Sequence, residues 1–228
     1  MTPPDSAQFP VVIARALSQS VHTGDGALVI LSDVALAVKA GETLAITGAS
    51  GSGKSTMLGL LAGLDQPSAG ELFLLGQRLN DLDEDARARL RAGRIGFVFQ
   101  SFQLLPALSA LENILLPLEL AGRADARERA AHWLARVGLA ARAAHTPRQL
   151  SGGEQQRVAI ARAFATDPEI VFADEPTGNL DADTGAHINE LLFELNASAH
   201  TTLILVTHDD ALAARCQRRL HLVAGRIA

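Results

Sequence analysis

Lys54 is one of only two lysines in the chain, and it lies within GASGSGKST at positions 48–56, directly after the strand-like run 44–47. The pattern G-x-x-x-x-G-K-[ST] lets backbone N–H groups and a helix N-terminus face phosphate. Lys54 can then reach the β and γ phosphates, and Ser55 offers a hydroxyl to Mg²⁺. The plainer alternative is a flexible turn entering a helix. We predict a phosphate loop formed by Gly48, Ala49, Ser50, Gly51, Ser52, Gly53, Lys54, Ser55 and Thr56.

A second chemical site is the acidic pair that ends the apolar run at 170–175. Asp174 can hold Mg²⁺ through its water shell, because this ion keeps several waters and takes few protein carboxylates. Glu175 can act as the general base that polarises an attacking water. Taken alone, the pair is also explained as an acidic turn before Pro176. Beside a phosphate loop, it favours nucleotide hydrolysis.

The stretch LSGGEQQR at positions 150–157 indicates another helix start suited to an anion. Ser151 is a typical helix cap, and Gly152 and Gly153 permit close approach of a ligand to the backbone. A capped amphipathic helix without any ligand explains the same spacing. The chain therefore carries two candidate phosphate-binding helix starts.

Short strand-like runs must position these sites, and they lie at 28–31, 44–47, 71–75, 95–99, 170–173, 202–207 and 220–223. Several are apolar throughout, which is typical of a parallel sheet covered on both faces. Between residues 100 and 170 the pattern becomes helical, notably at 124–137 and 154–165. We predict one α/β domain over residues 1–228, interrupted by a helical subdomain at about 101–160.

Composition limits the possible partners. The chain has 228 residues, of which 48% are hydrophobic and 20% charged, as expected of one globular domain. Its net charge of −5 gives no reason to expect nucleic acid as a partner. Cys216 is the only cysteine, which excludes an internal disulfide. Residues 1–10 do not resemble a signal peptide, and the apolar stretch 107–122 is interrupted by Glu112 and Pro117, so we expect membrane contact only through a partner.

Together the motifs resemble the nucleotide-binding subunit of an ATP-binding cassette (ABC) transporter over nearly the whole chain. Residues 150–157 match the family's signature motif, and Gln100 falls at its Q-loop glutamine. Residues 179–181 resemble the D-loop, and His208 matches the switch histidine, although alone it would be a strand-end surface histidine. The resemblance implies an α/β P-loop NTPase fold with a mostly parallel core sheet, an antiparallel N-terminal β portion and an inserted helical subdomain.

The resemblance also implies site roles, with ATP and Mg²⁺ as cofactors. The implied catalytic residues are Glu175 as base, His208 on the γ phosphate, and Gln100 touching Mg²⁺ and the lytic water. The implied Mg²⁺ ligands are Ser55, Gln100 and Asp174, and the implied nucleotide contacts beyond the phosphate loop are Ser151, Gly152, Gly153 and Asp181. If the signature of one subunit completes the phosphate loop of another, two ATP molecules lie in a head-to-tail homodimer.

Within the family, residues 96–120 and 173–181 are similar to the group of lipoprotein-releasing, macrolide-efflux and FtsE-type ATPases. The strings FVFQSFQLLP, LSGGEQQR and LILVTHDD resemble its YbbA branch. This implies an FtsX- or MacB-like permease, the cytoplasmic face of a bacterial inner membrane, and export or mechanical work on the periplasmic side. A soluble cassette ATPase of DNA repair or translation is the alternative. A P-loop kinase or GTPase would not need residues 150–157, and the N-K-x-D guanine motif is absent.

Two positions leave alternatives open. Where the family usually stacks an aromatic residue on adenine, the chain offers Val21, followed by His22, which is either a base contact or a solvated loop residue. The apolar residues of Ser101–Leu120 are more numerous than one helix face can bury. They form either the docking surface for the permease or the core of the helical insertion.

Overall fold

The computed structural model describes residues 10–23 and 26–228, without the side chains of residues 22 and 23. The described chain forms two compact units, the first up to Arg91 together with Thr202–Ala228, and the second over Ala92–Thr201. The strands are β1 (Pro10–Thr23), β2 (Gly26–Lys39), β3 (Thr43–Thr47), β4 (Ala69–Leu74), β5 (Gln77–Arg78), β6 (Ile95–Phe99), β7 (Ile170–Asp174), β8 (Thr202–Val206), β9 (Arg218–Val223) and β10 (Arg226–Ile227). The α-helices are α1 (Lys54–Leu61), α2 (Glu84–Arg91), α3 (Ala110–Leu120), α4 (Ala126–Arg136), α5 (Gly152–Phe164), α6 (Ala182–Ala199) and α7 (Asp210–Ala213).

The first unit contains an antiparallel sheet in the order β2-β1-β4-β5. It also contains β3, which pairs in parallel with both β8 and β9. Every residue of β3 and β8 is buried, as their continuous apolar runs predict. Because both strands run in the same direction, the segments that follow them emerge at the same edge.

Strand β1 was not among the strand-like runs found in the sequence, although the family resemblance implied an antiparallel N-terminal β portion. Its buried residues are Val12, Ala14 and Leu17, so the spacing changes from two to three. Register shifts occur on both sides of Leu17, and Ala16 has a φ of 49°. A bulge inserts one residue and breaks the period-two alternation by which a half-buried strand is recognised.

The second unit contains β6 and β7, which pair in parallel with Phe99 opposite Asp174. The helices α3, α4 and α5 lie between these two strands in sequence and pack on one another. Trp133 of α4 is 4% exposed and stacks on Phe164 of α5, with ring centroids 6.1 Å apart. The predicted helical stretches at 124–137 and 154–165 are thus confirmed as α4 and α5. The boundaries of a subdomain at 101–160 stay a prediction.

Helix α5 starts as its predicted cap at Ser151 indicates, two residues before the helical spacing at 154–165, whereas α6 was not expected from the sequence. Helix α5 begins at Gly152, because Ser151 and Glu154 form a reciprocal capping box. Helix α6 has 18 residues and was not identified in the sequence. Its start is marked by Asp181, whose side chain accepts a hydrogen bond from the Thr184 amide, a signal that capping rules recognise.

Candidate functional site

The phosphate loop of the first unit is folded around Lys54. This side chain is 7% exposed, and its Nζ donates to the carbonyl oxygens of Gly48 at 3.0 Å and Ala49 at 2.9 Å. The backbone of the loop therefore holds the ammonium group in place. A cation fixed in this way needs little rearrangement to bind an anion.

Two glycines of the loop are required by packing. A Cβ on Gly48 would lie 2.3 Å from the carbonyl oxygen of Leu222, and Gly48 has a φ of 146°. A Cβ on Gly53 would lie 2.9 Å from Leu31 Cδ2, and Gly53 has a φ of 99°. Both residues thus combine a left-handed conformation with a close neighbour, which only glycine tolerates.

The loop and the start of α1 fit a phosphate group. Ser52 Oγ is buried and has no hydrogen-bond partner within the described chain. Helix α1 has no side-chain cap at Gly53 and no acidic residue in its first turn. The first N–H groups of a helix have no acceptor within that helix, so these donors suit an anion. Ser55 is exposed and Thr56 half-buried in the same turn.

His208 lies at the same edge of the first unit. Ile46 of β3 pairs with Val206 of β8, so the phosphate loop and His208 both follow the carboxyl ends of neighbouring strands. The amide of Thr207 donates to Ile46 O at 3.2 Å, which extends the pairing by one residue. The side chain of His208 is exposed.

The second unit brings the acidic pair and Gln100 together. Because Phe99 is opposite Asp174, Gln100 and Glu175 each follow a paired strand at the same edge. Glu175 has a φ of 42°, and its carbonyl oxygen accepts from the Gly178 amide at 3.0 Å. A left-handed non-glycine residue at this point is the kind of backbone strain that clusters at functional sites.

Gln100 is held by Asn179. Gln100 Nε2 donates to Asn179 Oδ1, and Asn179 Nδ2 donates to the Gln100 carbonyl oxygen, both at 3.1 Å. A Cβ on Gly178 would lie 2.7 Å from Gln100 Nε2. The Q-loop and D-loop candidates are therefore in direct contact within this unit.

The signature residues start α5 as expected. Ser151 Oγ accepts from the Glu154 amide at 3.2 Å, and Glu154 Oε2 accepts from the Ser151 amide at 2.8 Å. The hydrogen bond from the Ser151 amide, with help from Arg142, lowers the pKa of Glu154. The amides of Gly152 and Gly153 occupy the first two helical positions, where helix geometry provides no acceptor.

Asp181 caps α6 in the second unit. Its Oδ1 accepts from the Thr184 amide at 2.9 Å, and this bond lowers the pKa of Asp181. The structure thus shows a capping role for Asp181, and its nucleotide contact stays a prediction. The methyl group of Thr184 in turn lies 2.5 Å from the position that a Cβ on Gly153 would occupy, so the starts of α5 and α6 are closely packed.

Two residues that hold the segments around Gln100 and Glu175 were not singled out from the sequence. Asn179 was read only as part of the D-loop string, and Gln156 only as part of the signature. Gln156 is fully buried, and its Nε2 donates to the carbonyl oxygen of Pro176 at 2.6 Å, next to Glu175. The sequence signal for Gln156 was its position beside Gln155 near the start of an otherwise amphipathic helix. Adjacent residues point to different sides of a helix, so one glutamine of such a pair can face the core.

The choice between a base contact and a solvated loop residue at His22 stays open. Val21 is 38% exposed in β1, while the side chain of His22 lies outside the described residues.

The large apolar residues of 101–120 fall into three groups. Those buried are Ile114, Leu115 and Leu118, those half-buried are Phe102, Leu104, Leu108, Leu111 and Leu116, and those exposed are Leu105 and Leu120.

Within residues 10–23 and 26–228, no helix is long and apolar enough to cross a membrane. Over the same residues, no group of three or more His, Cys, Asp or Glu side chains is arranged to hold a metal ion. Mg²⁺ commonly takes only one or two protein carboxylates and completes its shell with phosphates and water. Gln100 and Asp174 of the second unit, one amide oxygen and one carboxylate, are donors of the kind that this mode uses.

Comparison with known families and proteins agrees with this geometry. The family model described as ABC transporter matches residues 31–178. The chain is 57% identical over 219 residues to the "Uncharacterized ABC transporter ATP-binding protein YbbA" of Escherichia coli K12, covering 95% of this chain and 96% of that protein. It is 49% identical over 220 residues to the "Lipoprotein-releasing system ATP-binding protein LolD" of Pseudomonas fluorescens, again covering 95% and 96%.

Two further similarities extend the comparison. The chain is 47% identical over 220 residues to the "Macrolide export ATP-binding/permease protein MacB" of Burkholderia pseudomallei, covering 96% of this chain and 34% of that protein. Among solved structures, it is similar to the ATP-binding cassette MJ0796, described as a dimeric post-hydrolysis state bound to ADP and Pi. The TM-score is 0.88 and the identity 43%, covering 95% of this chain and 96% of that one.

Proposed function

Because the chain belongs to the ABC transporter family, we propose that it is the ATP-hydrolysing subunit that powers a separate permease at the cytoplasmic face of a bacterial inner membrane. The observation that carries the proposal is the phosphate loop, where Lys54 is fixed by two backbone carbonyls beside the unpartnered hydroxyl of Ser52. The work it drives is export or mechanical work on the periplasmic side. A role in DNA repair or translation is not favoured, because the relatives described above are named as transporter components.

The proposed chemistry is in-line attack of water on the γ phosphorus of ATP, which breaks its bond to the β–γ bridging oxygen and releases ADP and phosphate. Glu175 orients this water and accepts its proton, while Lys54 and the loop amides stabilise the charge that develops on the phosphate oxygens. His208 donates to the γ phosphate. Ser55, Gln100 and Asp174 would hold Mg²⁺, which would supply positive charge to offset that of the phosphates.

The proposed active state is a head-to-tail homodimer with two ATP molecules at its interface. The first turn of α5 supports this arrangement, because the amides of Gly152 and Gly153 have no acceptor within the helix and, with Ser151, can bind the phosphate held by the phosphate loop of the second copy. Asp181 belongs to the same interface. Two-fold symmetry makes both sites alike, and hydrolysis removes the phosphate contact that closes the dimer.

The proposed permease contact is the exposed part of Ser101–Leu120. Leu105 is 45% exposed and Leu120 is 75% exposed, whereas Ile114 is fully buried. The segment thus supplies a core and also leaves apolar side chains outside. We propose that a cytoplasmic helix of an FtsX- or MacB-like permease packs on these exposed leucines, so that membrane contact runs through the permease.

The experiment that tests the function compares Glu175→Gln with Lys54→Ala and the native chain. Glu175→Gln keeps the shape and hydrogen-bonding reach of the side chain but loses the base, so ATP turnover should fall by about 10²–10⁴-fold while ATP still binds. The variant should also accumulate as an ATP-dependent dimer in gel filtration. Lys54→Ala should fail earlier, at nucleotide binding. A Glu175→Gln chain that stays monomeric with ATP and turns over normally would refute the proposal.

A further inference from the structure

The segment that follows Gln100 contains two successive left-handed residues. Phe102 has a φ of 61° and Gln103 a φ of 46°, and neither is glycine. Such conformations are strained for residues with a side chain, and they persist only where surrounding contacts impose them. They begin two residues after Gln100, a proposed Mg²⁺ ligand, so the contacts that impose them also affect the segment that carries Gln100.

Arg162 of α5 binds both of these residues. Its Nη1 donates to the carbonyl oxygen of Gln103 at 2.7 Å, and its Nη2 donates to that of Phe102 at 3.1 Å. The guanidinium presents its donors in a planar fork, which matches two neighbouring carbonyls better than a point charge does. Burial lowers the pKa of Arg162, as expected for a guanidinium shielded from water.

The same loop is fixed at three successive places within the second unit. Gln100 is paired with Asn179, Arg162 holds the two left-handed residues, and Asn113 holds Leu105. Asn113 is 1% exposed; its Oδ1 accepts from the Leu105 amide at 2.8 Å, and its Nδ2 donates to the Leu105 carbonyl oxygen at 3.2 Å. Of these three fixings, only the one by Arg162 acts on strained backbone.

Helix α5 touches this loop at its start as well. The ring of Phe102 lies 3.6 Å from the position that a Cβ on Gly152 would occupy. Helix α5 therefore carries both the signature residues and Arg162, which holds the loop that follows Gln100. A shift of α5 would move both the arginine and the start of the helix against the two strained residues, because both parts belong to a single rigid element.

We propose that Arg162 is a positioning residue for ATP hydrolysis, which clamps Phe102 and Gln103 in their left-handed conformation and thereby sets the Gln100 side chain. The inference rests on the proposed function, since Gln100 is assigned there to Mg²⁺ and the lytic water. It predicts that the clamp matters for the rate of the chemical step. It also predicts that ATP binding, which depends on the phosphate loop, is largely independent of Arg162.

The test compares Arg162→Met with Arg94→Met by steady-state ATPase kinetics. Arg94 is an arginine of the same unit whose ion pair with Glu169, at 2.6 Å, is exposed on both sides. In Arg162→Met, kcat should fall by about 10- to 100-fold, as small misplacements of catalytic groups do, with KM for ATP changed less than about twofold. Arg94→Met should keep both constants.

A second-site variant separates positioning from mere stability. Gln103 is exposed, and glycine adopts a positive φ without strain, so Gln103→Gly reduces the need for the clamp. Arg162→Met/Gln103→Gly should therefore recover most of the lost kcat. A loss of helix stability would not be repaired by a glycine in an exposed loop. An Arg162→Met variant that matches Arg94→Met, or a loss of kcat that Gln103→Gly leaves unchanged, overturns the proposal.

If Arg162→Met does not fold, Arg162→Lys keeps the charge but offers a single ammonium group to the two carbonyls. It should lose part of kcat and regain it with Gln103→Gly; no loss, or no recovery, overturns the clamp. A native chain that hydrolyses no ATP refutes the proposed function instead. The clamp is then measured by amide hydrogen exchange over 101–105, which should be faster in the Arg162 variant than in Arg94→Met, and equal rates would overturn it.

Discussion

The second glycine of the signature motif provides a quantitative test of how α5 and α6 pack. A Cβ on Gly153 would lie 2.5 Å from Thr184 Cγ2, whereas the next nearest atom, Thr184 Cβ, would be at 3.9 Å. One methyl group therefore accounts for the conflict. Threonine in a helix has few χ1 rotamers, so this methyl group cannot easily move away. Gly153→Ala should consequently be destabilising in the native background.

The magnitude follows from two opposed contributions. Overpacking by one methyl group typically costs about 1–3 kcal/mol. Alanine in place of glycine within a helix contributes about 1 kcal/mol of stability. Gly153→Ala should therefore lower the free energy of unfolding by up to about 2 kcal/mol. A loss of 1 kcal/mol corresponds to a melting temperature lower by about 2–4 °C for a chain of this size.

The control is Thr184→Ser, which removes Cγ2 while keeping the hydroxyl and the amide that Asp181 caps. In that background the inserted Cβ meets only ordinary contacts, so Gly153→Ala should be neutral or stabilising by up to about 1 kcal/mol. Urea unfolding of the four chains of this double-mutant cycle measures the difference. The coupling between the two sites should be about 1–3 kcal/mol.

Equal costs of Gly153→Ala in both backgrounds would refute this reasoning. Glycine at position 153 would then be required for something other than packing on α6. A coupling of the expected size would instead show that Gly153 serves the contact between two helices as well as any phosphate. The loss of a methyl group from Thr184 would then be enough to accept a side chain in the signature motif.

Three other predictions concern Val21, Leu105 and Cys216. With Val21 in place of an aromatic ring, ATP should be preferred over GTP only weakly in competition binding, and Val21→Tyr should tighten ATP about tenfold; a strong native preference that survives Val21→Ala would contradict this. Leu105→Glu should keep the fold and basal ATPase activity but lose co-purification with a co-expressed permease. Ile114→Glu, at a fully buried position, should unfold. Full-strength binding of the permease by Leu105→Glu would count against the docking surface. Burial raises the pKa of Cys216 from 9.0 to about 11, so its labelling by a thiol reagent at pH 8 should be about 100-fold slower in the native chain than after unfolding, and equal rates would contradict its burial.

Much of this protein was readable from the sequence alone, because the relevant constraints are local. The glycines of the phosphate loop, the helix cap at Ser151 and the continuous apolar runs of β3 and β8 each depend on residues close together in the chain. The apolar runs indicate the α/β class, and the motifs carry the resemblance to the family. Strand β1 escaped because its bulge breaks the local period on which such reasoning depends.

The tertiary structure alone decided which side chains hold the segments that carry the proposed site residues. The pairing of Gln100 with Asn179 joins residues 79 positions apart, and the contact of Arg162 with Gln103 spans 59 positions. It also separated the buried Ile114 from the exposed Leu105, which have the same apolar character in the sequence. Hydrogen-bond partners and exposure are set by where distant segments meet when the chain packs. Local sequence patterns do not specify these long-range contacts, since many tertiary arrangements would be compatible with the same patterns.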